Sequence, residues 1–254
     1  MSIPYQVKVN CPKCHAAFST TAWKSVNTDL SKELSEKIIS GAFFSTQCSN
    51  CRSHFHLEYD VLYHDIKRRV MIWVLHTDKS DYRRKCEQIK SSPLLPDYKT
   101  RIVHDINALR EKVAALEAGR DDRIIELYKI YLQHEVVRQY PGFRVQHAFY
   151  TYTDGEEIVF VYDETGKELH CNLDSEIYDT IASMFGEQFK EDNAIYAIYD
   201  AAWAGDAFLS LEQEESVMTE ETQSEEPARN KKQQPVGPNG QEEQEFLEQT
   251  EPQT

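Results

Sequence analysis

The sequence predicts an α+β protein on three observations. Short apolar runs of strand length recur along the chain, several longer stretches carry apolar residues at three- and four-residue spacing, and two Cys-x-x-Cys pairs punctuate the N-terminal part. With 254 residues, 40% hydrophobic and 11% aromatic, the chain can build one large or two small cores. The expected organisation is a first unit over residues 1–90, a second over 98–210 and an acidic tail over 211–254.

Taken in order, "YQVKVN" alternates Val7 and Val9 as a short strand does. "NTDLSKELSEKIISG" places Leu30, Leu34 and Ile38 on one helical face, with Thr28 or Asp29 as N-cap and Gly41 as C-cap. "HFHLEYDVLY" puts Phe55, Leu57, Tyr59, Val61 and Tyr63 on one face of a strand, and the unbroken run Val70 to Leu75 reads as a second, more buried one. "KSSPLLPDYK" is polar and marked by proline, which predicts a linker between the two units. Ile102, Ile106, Leu109, Val113 and Leu116 then follow helical spacing up to Gly119, and a second helix runs from about Asp121 to Gln139, stopped by Pro141-Gly142. The short "AGRD" between them predicts an antiparallel helix hairpin. Three strands follow, "FRVQHAFYTYT", "EIVFVY" and "ELHCNL", separated by the turn dipeptides Asp154-Gly155 and Thr165-Gly166. A helix opened by Asp174 or Ser175 and another over "AIYAIYDAAWAGDAFLSL" complete the folded part, and the Glu- and Gln-rich remainder has too little to bury to fold on its own.

The net charge of −15 is unevenly spread. From Leu211 onward twelve Glu face three basic residues, a net −9, whereas Met1 to Lys79 carries ten basic and seven acidic residues. That +3 is weak for a general nucleic-acid binder. No stretch nears the roughly 18 to 20 apolar residues of a membrane span, and "MSIPYQVKVN" lacks the apolar core of a signal peptide, so the expected location is the cytoplasm.

Cytosolic buffers keep thiols reduced, so six cysteines point to free thiols or metal ligands before spacing is considered. Cys11-Pro-Lys-Cys14 and Cys48-Ser-Asn-Cys51 each let two sulfurs converge from one tight turn, and two such turns supply the four ligands of a closed tetrahedral Zn²⁺ site. The gap between the pairs exceeds the common 15 to 20 residues, and the helix between them accounts for the excess. The rival reading is a redox Cys-Pro-x-Cys at a helix N-terminus. "HAAFSTTAW" is rich in β-branched residues, makes a poor long helix, and leaves the rival without a use for the second pair.

Other residues offer weaker signals. His15, His54 and His56 lie near the cysteines and can replace a thiolate, but a complete Cys₄ set leaves them surface roles. Cys86 and Cys171 are unpaired in spacing and read as ordinary thiols. Tyr63-His64-Asp65 is either an acid–base pair or loop residues, and Asp121-Asp122 either a divalent-cation site or a helix cap; the second reading is expected of each. Lys67-Arg68-Arg69 and Arg83-Arg84-Lys85 can contact phosphates, yet a Zn²⁺ with four thiolates carries −2 and reduces the charge of the first unit to about +1.

The Cys11-Pro12-Lys13-Cys14 opening, "WKSVN" from Trp23 to Asn27, the helix after it, "GAFFSTQCSNC", "LYHD" and "LREKV…GRDDRIIELYK" together resemble the bacterial CpXC family over roughly residues 5 to 170. The resemblance implies bacterial origin and a zinc-ribbon-like N-terminal part, and implies no activity. His15 stands where many such turns carry glycine for a positive φ, a conformation histidine tolerates better than most residues. The expectation is a binding or adaptor protein with one structural Zn²⁺ held by Cys11, Cys14, Cys48 and Cys51, with protein partners and no assigned catalytic residue. The alternatives are a nucleic-acid-associated ribbon using Lys67 to Arg69 and an enzyme with a cleft near His64 and Asp65.

Overall fold

A computed structural model of the chain describes residues 2–28, 32–76, 79–91, 95, 97–190 and 196–211. The strands are β1 (Ile3–Asn10), β2 (Ala17–Asn27), β3 (Ser45–Gln47), β4 (His54–His56), β5 (Val61–Asp65), β6 (Val70–Val74), β7 (Lys99–Val103), β8 (Val145–Thr153), β9 (Glu156–Asp163) and β10 (Glu168–Asn172). The helices are α1 (Lys32–Ile39), α2 (Lys79–Lys90), α3 (Ile106–Glu117), α4 (Asp122–Gln139), α5 (Ser175–Lys190) and a last helix, α6, over 201–211. The class is α+β, as expected.

Three sheets organise the chain. A mixed five-stranded sheet runs β1-β2-β5-β6-β7, an antiparallel three-stranded sheet runs β10-β9-β8, and β3 and β4 pair as a small hairpin. Helix α3 packs against β6 and β7 of the first sheet and also against β8 of the second. A helix covered on both sides has no solvated stripe, which is why Leu109, Val113, Ala114 and Ala115 are buried together with Glu111 and Lys112. α4 also packs on β8. Glu111 faces Lys129 and Lys112 faces Glu126, so one helix advances as the other recedes, the antiparallel hairpin the short connection requires.

Buried charges demand partners, because an unpaired ion in a low-dielectric interior costs several kcal/mol. Five of them and the half-buried Asp122 form a chain of alternating sign. Arg101 holds both oxygens of Asp122 at 2.9 and 3.0 Å, and Asp122 lies 3.4 Å from Lys112. Lys112 reaches Glu126 at 3.1 Å, Glu126 reaches Lys129 at 2.9 Å, and Lys129 reaches Glu111 at 2.8 Å. The backbone N–H of Tyr150 on β8 donates to Glu111 at 2.7 Å, which ties the chain of charges to the second sheet.

Several elements differ from the sequence reading. The single strand expected over "HFHLEYDVLY" is two, β4 in the small hairpin and β5 in the large sheet, because the chain leaves one sheet for the other between them. There Leu57 N–H donates to the Phe44 carbonyl, and Asp60 turns its carboxylate to the His76 N–H and the Lys85 ammonium. Ile102 belongs to β7 and not to the helix after it, since Asp105 accepts the Ala108 N–H at 2.8 Å and starts α3. The last helix begins only at 201, where Asp200 accepts the Trp203 N–H. Ala197 before it bridges to Arg101 as extended chain.

The division into units 1–90 and 98–210 is also corrected. β7 pairs in parallel with β6, so the sheet begun by β1 closes beyond the proline-marked stretch, and residues 1–212 make one compact unit. The expected Asp29 cap and Leu30, part of that proline-marked stretch and the acidic tail lie outside the described residues.

Candidate metal centre

Each Cys-x-x-Cys pair sits in a turn closed by the same two backbone bonds. His15 N–H donates to the Cys11 carbonyl at 2.9 Å and Cys11 N–H to the Ala16 carbonyl at 3.0 Å. In the second turn Arg52 N–H donates to Cys48 and Cys48 N–H to Ser53, both at 2.9 Å. Both turns leave through a left-handed residue, His15 at φ 58° and Arg52 at φ 59°. A side chain at positive φ is uncommon, so its presence at the same place in both turns is a requirement of the geometry. The first turn joins β1 to β2, and the second joins β3 to β4.

The two hairpins are clamped together beside the cysteines. Thr20 Oγ1 on β2 meets Thr46 Oγ1 on β3 at 2.8 Å, and Phe18 lies edge-on to Phe55 at 6.1 Å between ring centres. This brings the four sulfurs within 4.8 Å of one another, with Cys11–Cys51 at 3.6 Å and Cys14–Cys48 at 3.7 Å. All four are free thiols; Cys11 and Cys48 are buried, and Cys14 and Cys51 half-buried.

Ser53 conditions the chemistry of two of them. Its hydroxyl lies 3.3 Å from Cys11 Sγ and 3.0 Å from Cys51 Sγ. As the largest cause it holds the Cys11 thiol down to about 6 against the opposing effect of burial, with backbone N–H groups of the turn assisting. The same hydroxyl lowers Cys51. Backbone and hydroxyl donors thus favour the thiolate at Cys11 and Cys51, as a cation-binding sulfur set requires, while at Cys48 the backbone N–H of Cys51 is outweighed by burial and the neighbouring thiols, which push the thiol up. Asn50 Nδ2 adds a donor 3.6 Å from Cys14 Sγ. The four cysteines therefore form a set that fits a metal ion.

The weaker candidates disperse. His15 and Arg52 are turn residues, His54 bonds Gln47 at 3.0 Å, and His56 pairs across β4 with Ser45. His64 and Asp65 are neighbours on β5 and so point to opposite faces of the sheet. His64 Nε2 contacts the Tyr98 hydroxyl at 3.1 Å, while buried Asp65 accepts from the Arg68 backbone and guanidinium, both at 2.8 Å. The two side chains thus face different neighbours. Asp121 caps α4 and pairs with Arg123, and Asp122 belongs to the buried chain of charges. Of the basic clusters, Arg68 also pairs with Glu117, Arg69 with Asp97, Arg84 with Asp81 and Lys85 with Asp60, which leaves less free charge for phosphates than the sequence advertises. Cys171 lies on β10 with its thiol pushed up by burial, and Cys86 is buried on α2.

Sequence reasoning missed Ser53 and the charged residues of α3 and α4. A serine two positions after a cysteine pair was a visible signal. Nothing in the helical pattern marked Glu111, Lys112, Glu126 and Lys129 as interior.

Residues 9–129 match the family model described as CpXC protein. No curated protein and no solved structure matches the chain.

Proposed function

We propose, from the premise that residues 9–129 are a CpXC family segment, that this chain is a zinc-stabilised binding module in which a zinc-ribbon-like pair of hairpins is folded by one structural Zn²⁺. The observation that carries the reading is the sulfur geometry. A Zn–S bond of about 2.3 Å in a tetrahedron sets sulfur–sulfur edges of about 3.8 Å. The Cys11–Cys51 and Cys14–Cys48 separations of 3.6 and 3.7 Å lie close to that. Four thiolates leave no open position for water or substrate, so the metal's role is to hold the short β3–β4 hairpin, which has little core of its own, against the end of the β1–β2 hairpin. Free thiols at such separations suit a reducing compartment, which supports the cytoplasm as the location. Among the described residues no helix is long and apolar enough to cross a membrane.

The binding role, with a protein partner, rests on the dispersal of the acid–base candidates and the pairing of the basic clusters. The test is elemental analysis of freshly purified protein, with one zinc per chain expected. Cys11→Ser and Cys48→Ser are each expected to lose the metal and the cooperative unfolding transition. Protein that is folded and metal-free as purified would overturn the proposal.

A further inference from the structure

The cleft between the N-terminal end of α3 and the outer face of the three-stranded sheet has a volume of about 590 Å³. Its floor is aromatic. His147 stacks on Tyr162 with ring centres 4.7 Å apart and planes at 14°, and Phe160 lies beside Tyr162 at 6.4 Å. Period-two alternation puts Phe149, Phe160 and Tyr162 on this face, opposite the buried Tyr150, Val159 and Val161.

The cleft also holds an unusual cation. Arg110 sits over Phe149 with its guanidinium carbon 5.0 Å from the ring centre. Its Nε donates to the Ile39 carbonyl at 2.7 Å and its Nη1 to Asn107 Oδ1 at 2.9 Å, both neutral acceptors, and its Nη2 has no such bond. Arg68, Arg101, Arg120 and Arg123 each face a carboxylate at 2.7 to 2.9 Å. Arg110 does not. Two carboxylates line the cleft: Glu111 is paired with Lys129 and accepts the Tyr150 N–H, and exposed Asp105 accepts the Ala108 N–H at the start of α3. Burial pulls the Arg110 guanidinium below its ordinary value, and the neighbouring Glu111 carboxylate offsets this only in part.

From a half-buried guanidinium that no carboxylate among the described residues contacts, beside stacked ring faces, we propose that this cleft binds a planar aromatic ligand carrying one anionic group, the chemistry of a nucleoside monophosphate. Ring faces accept any base by stacking, and a guanidinium matches a phosphate by paired N–H donors. A single cation suits one phosphate and is too little for a triphosphate. The volume admits a mononucleotide. A free mononucleotide is favoured over a strand end because the chain carries a net charge of −15, which repels a polyanion.

The test is calorimetric titration of the full zinc-loaded chain with 5′-AMP, adenosine and ribose 5-phosphate. AMP is expected to bind about tenfold tighter than either fragment. Arg110→Gln should bring AMP down to the level of adenosine, and Phe160→Ala should weaken AMP and adenosine alike by about tenfold. Zinc content is measured on each variant, so that damage to the metal centre is told apart from damage to the cleft. Because Arg110 also holds Ile39, Arg110→Gln can fail to fold; Phe160→Ala then decides alone. Absence of AMP binding at millimolar concentration, or AMP binding indifferent to either substitution, overturns the proposal. An oligoadenylate binding more than about a hundredfold tighter than AMP overturns it in favour of single-stranded nucleic acid.

Discussion

Excising the middle of the buried chain of charges should cost less than the sum of its parts. Lys112 and Glu126 are the third and fourth of six alternating groups, and both side chains are about 95% buried. Lys112→Met leaves three carboxylates against two cations, and Glu126→Gln leaves three cations against two carboxylates. Each single substitution thus strands one charge in the interior, at a cost of about 3–5 kcal/mol. The double variant leaves Arg101–Asp122 and Lys129–Glu111, two complete pairs at 2.9 and 2.8 Å, with no net charge. Its cost should fall short of the sum of the singles by about 2–3 kcal/mol. Urea unfolding of the zinc-loaded protein near neutral pH gives all three values, provided the slopes agree. Arg138→Gln serves as the control. That arginine is 74% exposed and pairs with Glu135 only one helical turn away, so its loss should cost under about 1 kcal/mol. If the double variant equals the sum within about 0.5 kcal/mol, the six groups act as separate pairs and the reasoning fails.

The same chain of charges sets a pH dependence. Burial alone would raise the Asp122 carboxyl, but Lys112 and Arg101 outweigh it and hold the group well below the usual range. Its folded value lies below the unfolded one of about 3.9, so its contribution is complete above that pH and fades as pH falls through it. Asp122→Asn should therefore cost more at pH 7 than at pH 3, and urea melts of both proteins at both pH values would expose an equal cost as a failure. At the metal turns, His15→Val forces a β-branched residue to a φ near 58° and should weaken zinc binding about tenfold in competition with a chromophoric chelator, whereas His15→Gly should leave it within about threefold. Equal affinities for the two variants would show that the left-handed turn is no constraint.

What could be read from the sequence follows how each residue's environment is set. The turns at Asp154-Gly155 and Gly166 were legible because a positive φ selects those residue types locally, and all three adopt it. Asp121, one residue before α4, and Asp174, one before α5, were legible as caps because a cap is defined within three residues of chain. β2 was not, since Ser19, Thr20, Thr21 and Ala22 replace the apolar alternation that marks a strand. Its identity comes from pairing with β1 on one side and β5 on the other, which no window of sequence contains. β7 was hidden for a related reason. Ile102 continues the helical spacing of Ile106 and Leu109, and only the Asp105 cap separates the two.

The charged residues of α3 show why a motif can be noticed and still be misplaced. Periodicity finds the apolar face of a helix and assigns the remainder to water, which holds when the helix has one neighbour. α3 has a sheet on each side, so of "REK" at 110–112 Glu111 and Lys112 are interior and Arg110 is half-buried: Glu111 turns to Lys129 and the second sheet, Lys112 to Glu126 and Asp122, and Arg110 to the aromatic cleft. The four cysteines and all six members of the charge chain lie within residues 9–129, the span of the family match, while the aromatic floor beneath Arg110 comes from β8 and β9 beyond it. His56 of the second cysteine hairpin lies beside Gly41 and Arg110, and the charge chain runs through α3 itself. A Cβ added at Gly41 would meet both Arg110 and His56 of the cysteine hairpin within 3.5 Å, which places Gly41 beside both, so on the proposed zinc reading removal of the metal should reach the cleft through this neighbourhood. A drop in AMP affinity on chelation, with α3 still helical, is the outcome this connection requires.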